Sequence, residues 1–77
     1  MDVKILGAGC AKCEQLERAA RAVIEREGID ATVTKIDDIT DILAYGVMIT
    51  PALVVDEKVV VKGRVPSNDE LTKLLTI

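Results

Sequence analysis

The chain's two cysteines stand three residues apart, within Leu6-Gly7-Ala8-Gly9-Cys10-Ala11-Lys12-Cys13-Glu14. An apolar run precedes them and a helical pattern follows. A thiol at the start of a helix ionises readily, because the partial positive charge and unpaired N–H groups there favour the thiolate. A second thiol one turn later can attack a disulfide formed by the first. Such a pair can carry out disulfide exchange, or it can hold a soft metal ion such as Cu(I) or zinc. A structural cross-link is the third use of paired cysteines. Its benefit grows with the loop it closes, and this loop is nearly the shortest possible. The pair is therefore expected to serve chemistry.

The elements around the pair must position it. Val3-Lys4-Ile5-Leu6 reads as a short buried strand, which Gly7-Ala8-Gly9 ends. From Ala11 to Glu27 the pattern is helical, with Cys13, Leu16, Ala20, Val23 and Ile24 on one face. Glu14 with Arg18 and Glu17 with Arg21 have the favourable i,i+4 order, and Gly28 suits a left-handed cap. Residues 31–36 alternate polar and apolar, as a half-buried strand does.

Asp37 or Asp38 can cap a second, shorter helix with Ile39, Ile42 and Leu43 on one side, ending near Gly46. Ala52–Val55 and Val59–Val61 read as strands, and the short link Asp56-Glu57-Lys58 makes them an antiparallel hairpin. Val59-Val60-Val61 is expected to form an exposed apolar edge that another chain could pair with. Ser67-Asn68-Asp69-Glu70 has the form of a capping box, opening a last helix with Leu71, Leu74 and Leu75 inward. A helical crossover between the first two strands makes them parallel. The expected fold is α/β: one domain over residues 1–77, a four-stranded mixed sheet flanked by three helices.

Composition narrows the chemistry. Hydrophobic residues make up 49% of the 77, but Tyr45 is the only aromatic, so the core is aliphatic. The net charge of −3 and the lack of a basic patch speak against nucleic acid. Histidine, the commonest general base and zinc ligand, is absent. No apolar run approaches the ~20 residues of a membrane span. Residues 1–9 lack the pattern of a secretory leader. Two closely spaced cysteines suit a reducing compartment better than a secreted, disulfide-rich one. A cytoplasmic protein is the expectation.

Three features together resemble the thioredoxin superfamily, and most closely its small redox-active disulfide proteins of glutaredoxin size. Cys10-Ala11-Lys12-Cys13 stands between the first strand and the first helix. Thr50-Pro51 stands just before the third strand, and the element order is the minimal one for that fold. The likeness spans essentially the whole chain. Gly9-Cys10-Ala11-Lys12-Cys13 replaces the Trp-Cys-Gly-Pro-Cys of thioredoxin, and Gly63-Arg64-Val65-Pro66 does not reproduce the Gly-Gly pair of glutaredoxin.

The resemblance implies a thiol–disulfide oxidoreductase without a cofactor. Cys10 would be the nucleophile and Cys13 the resolving thiol, passing through a mixed disulfide. It also implies a cis Thr50–Pro51 bond facing the cysteines, with the Thr50 backbone available to an extended substrate. Gly9, Lys12 and Gly63 complete the implied substrate-binding set. For each a plainer reading stands beside it: loop flexibility for Gly9 (and Gly7), an inert surface lysine for Lys12, a turn glycine for Gly63. Tyr45 reads as a core or rim aromatic, and Asp37 and Asp38 as caps rather than proton carriers. Expected partners are disulfide-bearing proteins or small thiols, with a reductase as electron donor, acting on a monomer. The alternatives are a Cu(I)- or zinc-binding or metallochaperone domain, and a redox-sensing adaptor. Heavy-metal-associated domains also carry a Cys-x-x-Cys loop, but they finish in a strand where this chain is expected to finish in a helix.

Overall fold

The first strand, β1 (Asp2–Leu6), sets the layering, because its side chains alternate between two apolar environments. Val3 and Ile5 are buried on one face of the sheet and Leu6 on the other. The computed structural model describes residues 1–7 and 10–76. After β1 come α1 (Ala11–Glu27), β2 (Thr32–Ile36), α2 (Ile39–Ala44), β3 (Ala52–Val55), β4 (Lys58–Lys62) and α3 (Asn68–Leu75). The strands lie in the order β2-β1-β3-β4. β1 is parallel to β2, while β1–β3 and β3–β4 are antiparallel. This is the mixed four-stranded sheet and three-helix α/β fold that the pattern predicts.

Helices α1 and α3 cover one face. Leu16, Ala20 and Val23 of α1 meet Leu71 and Leu75 of α3 over Val3, Ile5 and Leu53. Leu74 is half-buried beside them. Gly28 ends α1 at φ 64°, in the left-handed region that glycine enters without a side-chain penalty. Only half of the capping box forms at α3. Ser67 Oγ accepts from the Glu70 N–H at 3.2 Å, but the Glu70 carboxylate turns to Arg64 and accepts at 2.8 and 2.5 Å. A two-pronged guanidinium contact has displaced the reciprocal backbone bond.

The other face is thinner. Asp38, not Asp37, caps α2, its Oδ1 accepting from the Thr40 N–H at 2.8 Å. Of the three apolar residues expected to face inward, only Ile42 does. Ile39 is 71% exposed and Leu43 52%. A helix of six residues touches the sheet through one side chain, and its other apolar positions are left on the rim.

The expected edge strand is present as β4, but only one of its three valines is exposed. Leu53 pairs with Val61 and Val54 with Val59, so Val60 is an extra residue in a β-bulge. Without it, Val59 and Val61 would share a face. With it, Val61 joins the α1–α3 core, Val59 packs on the α2 side, and Val60 is 37% exposed. The hairpin turns through Asp56 and Glu57, both at positive φ (49° and 68°), as a two-residue primed turn requires.

Lys4 crosses the α2 side of β1 and links distant segments. Its Nζ donates to Tyr45 Oη at 2.8 Å and to Glu57 Oε1, and Tyr45 Oη donates to Glu57 Oε2 at 3.2 Å. The hydrogen bond from Lys4 is the main cause holding the Glu57 carboxyl below its ordinary 4.5, with a smaller contribution from Tyr45. The Glu57 contact, followed by Tyr45, raises Lys4 above the usual lysine range. A carboxyl lowered in the folded state stabilises it above the unfolded value, and the benefit fades as pH falls through the folded value. Glu57→Gln is therefore expected to lower Tm near neutrality, with the gap to wild type closing below pH 4.5. Thermal melts across acid pH check this, and a gap unchanged at about pH 3 would refute it.

Candidate active site

Cys10 is the N-cap of α1, in extended backbone at φ −108° and ψ 152°. Its Sγ accepts from the Cys13 N–H at 3.0 Å, and its carbonyl accepts from the Glu14 N–H at 3.1 Å. A sulfur thus takes the place usually filled by a serine or aspartate oxygen. The same N–H that completes the helix end lowers the energy of negative charge on that sulfur. One turn on, Cys13 lies on the inward stripe with Leu16 and is fully buried. The two sulfurs form a disulfide across Cα atoms 5.2 Å apart. Cys10 is half-buried, so the pair shows solvent one sulfur and hides the other.

Two more segments reach this helix end. Gly7, buried just beyond β1, backs onto Cys13 and Thr50. The Thr50–Pro51 peptide bond is cis, the geometry the resemblance implies. Pro51 is buried and its carbonyl accepts from the Gly63 N–H at 2.8 Å. Thr50 is exposed, and its backbone makes no hydrogen bond among the described residues.

The other expected site residues fall at varying distance from the sulfurs. Lys12 is exposed on the first turn of α1 and forms no ion pair among the described residues. Gly63, at φ 78°, meets Ile49 and Pro51, and its N–H is already engaged. Gly9 lies outside the described residues.

An apolar rim beside Thr50 was not foreseen from sequence. Met48 is 88% exposed and Ile49 66%; Met48 lines one groove with Ile39, Leu43 and Thr50, while Ile49 lies beside Gly63. The groove, of about 270 Å³, runs between α2 and Thr50, and Asp37 also lines it. The signal was the run Val47-Met48-Ile49 directly before Thr50-Pro51. It is apolar without belonging to a strand, and only Val47 is buried.

Among the described residues no group of three or more histidine, cysteine, aspartate or glutamate side chains is arranged for a metal ion. The Cys10–Cys13 pair is bonded as a disulfide, and the metal-carrier alternative is not favoured. No helix among the described residues is long and apolar enough to cross a membrane.

Sheet order and sulfur pair together define a class, the thiol–disulfide oxidoreductases built on a thioredoxin-like fold. Comparison with known proteins gives the family. The family model described as "Thioredoxin domain" matches residues 1–76. A protein named thioredoxin from Methanothermobacter thermautotrophicus is 41% identical over 76 residues, covering 99% of each chain. Another so named, from Methanocaldococcus jannaschii, is 34% identical over 73 residues, covering 95% of this chain and 84% of its own. The chain belongs to the thioredoxin-domain family. Its function is thiol–disulfide exchange, and membership implies disulfide-bearing protein substrates and a reductase.

Proposed function

We propose that this protein acts as a disulfide reductase or electron carrier in which Cys10 attacks and Cys13 resolves. The observation that carries the assignment is the unequal burial of two bonded sulfurs, one half-buried at a helix N-cap and one fully buried. An incoming disulfide can meet only the exposed sulfur. Attack by the Cys10 thiolate breaks the substrate's S–S bond, forms a mixed disulfide and releases one substrate thiolate. Cys13 gives up its proton and attacks Cys10 Sγ, which frees the second substrate thiolate and leaves the Cys10–Cys13 disulfide. A reductase returns the two electrons. The hydrogen bond from the Cys13 N–H stabilises the thiolate and is already in place at 3.0 Å.

Thr50 and Pro51 are the proposed docking edge for an extended substrate segment, since the Thr50 backbone is unpaired among the described residues. The exposed Ile39, Leu43 and Met48, which line one groove with Thr50, support this reading by offering that segment apolar contact. Gly63 lies against Ile49 and Pro51, Lys12 is exposed on the first turn of α1, and Gly9 belongs to the Cys10 loop by sequence; we include them in the proposed substrate-binding set. The cysteine usage suits a reducing cytoplasm. The test is a trap. Cys13→Ser retains the attacking thiol but cannot resolve, so a substrate disulfide should accumulate as an adduct on Cys10, seen by mass spectrometry. Adducts found equally on Cys13 in a Cys10→Ser protein would overturn the order of attack.

A further inference from the structure

We propose that Gly7 is a positioning residue for the exchange reaction, its bare α-carbon forming the seat of the Cys13 sulfur and holding the dithiol–disulfide balance toward the disulfide. A β-carbon at position 7 would lie 2.4 Å from Cys13 Sγ, far inside contact distance, with Cys13 Cβ at 3.3 Å and Thr50 Cβ at 3.4 Å. The neighbouring main chains have little freedom to retreat. Gly7 donates its N–H to the Ile36 carbonyl at 2.9 Å, at the end of the β1–β2 ladder. Cys13 is held in α1, with its own N–H on Cys10 Sγ. The atom left to yield is the sulfur.

Whether it can yield depends on redox state. In the disulfide, Cys13 Sγ is tied to Cys10 and its side-chain torsion is set by ring closure. In the dithiol, the same sulfur turns about its own Cα–Cβ bond between staggered positions. A methyl group at position 7 therefore penalises the disulfide more than the dithiol. Gly7 also sits at φ 147°, where any side chain is strained. That backbone cost falls on both redox states alike, so it lowers stability and cancels from the redox equilibrium. The sulfur contact does not cancel.

The experiment equilibrates Gly7→Ala and wild type with dithiothreitol buffers. One dithiothreitol gives two electrons and two protons to the protein disulfide, yielding the protein dithiol and cyclic oxidised dithiothreitol. The variant is expected to shift the equilibrium constant toward the dithiol by roughly tenfold or more, which for this two-electron couple is about 30 mV. An unchanged midpoint, or a shift toward the disulfide, would overturn the inference. It rests on the pair cycling as proposed above, and the two fail differently. A wild type that never titrates between dithiol and disulfide sinks the cycle; a wild type and variant with one midpoint sink only the role of Gly7.

Should Gly7→Ala not fold, Gly7→Ala/Cys13→Ala decides. Removing the sulfur opens the space, so the double variant should recover a cooperative melt. If it also fails to fold, the backbone angle alone demands glycine and the seat for sulfur is refuted.

Discussion

Cys10→Ser reduces turnover of a protein disulfide by at least about a thousandfold, the scale expected when a nucleophile is removed. A serine hydroxyl is a far weaker nucleophile than a thiol, since it is not appreciably ionised near neutral pH. The substitution is discriminating because serine is a strong N-cap. Its oxygen can accept from the Cys13 N–H that Cys10 Sγ now engages at 3.0 Å, so α1 keeps its start. The variant should therefore melt close to the reduced wild type while losing activity. Reduction of a protein disulfide with dithiothreitol as donor, beside melts of both reduced proteins, measures the two quantities separately. Activity within tenfold of wild type would contradict the attacking role.

The second large effect concerns stability. Leu53 lies fully buried on β3, between the α1–α3 layer and the rest of the sheet. Leu53→Ala is expected to cost about 2–5 kcal/mol, from lost burial and the cavity left behind. A chain of 77 residues has about 4–12 kcal/mol in total, so the loss approaches half of it. Tm should fall by at least about 10 °C. Val60→Ala, at the bulge on the neighbouring strand, should stay within about 0.5 kcal/mol. Denaturant titration of both compares a core position with a strand position of similar apolarity. Equal losses would show that the bulge does not carry Val60 out of the core.

Local sequence made much of this architecture readable. The stripe from Cys13 to Val23, Gly28 as a left-handed stop and Ser67 as a cap encode structure within a few residues and appear where expected. The hairpin forms with its link one residue shorter, Lys58 opening β4. What escaped depends on distant neighbours. Val60 carries no local mark of a bulge, since three valines in a row fit either register. Ile39 and Leu43 have helical spacing with Ile42, but how much sheet α2 covers is decided by its length and placement. Glu70 matches the capping box, and only the approach of Arg64 diverts its carboxylate. The cysteine pair and the cis Thr50–Pro51 bond were legible because residue type and order mark them. Gly7 was legible only as a strand end. Its contact with Cys13 Sγ joins two elements and leaves no periodic trace.

The extra residue at Val60 also bears on how these molecules meet one another. β4 is an outermost strand, and an outermost strand offers its open row of N–H and C=O groups to any extended chain nearby. The irregular step at Val60 breaks the spacing of that row, so a straight incoming strand cannot stay in register along it. Lys58 and Lys62, both exposed, stand at its two ends. Two copies brought together antiparallel through this edge would set lysine against lysine, and like charges directly opposed are unfavourable. The irregularity that sorts the valines between the two apolar layers thereby makes this edge a poor template for a further strand.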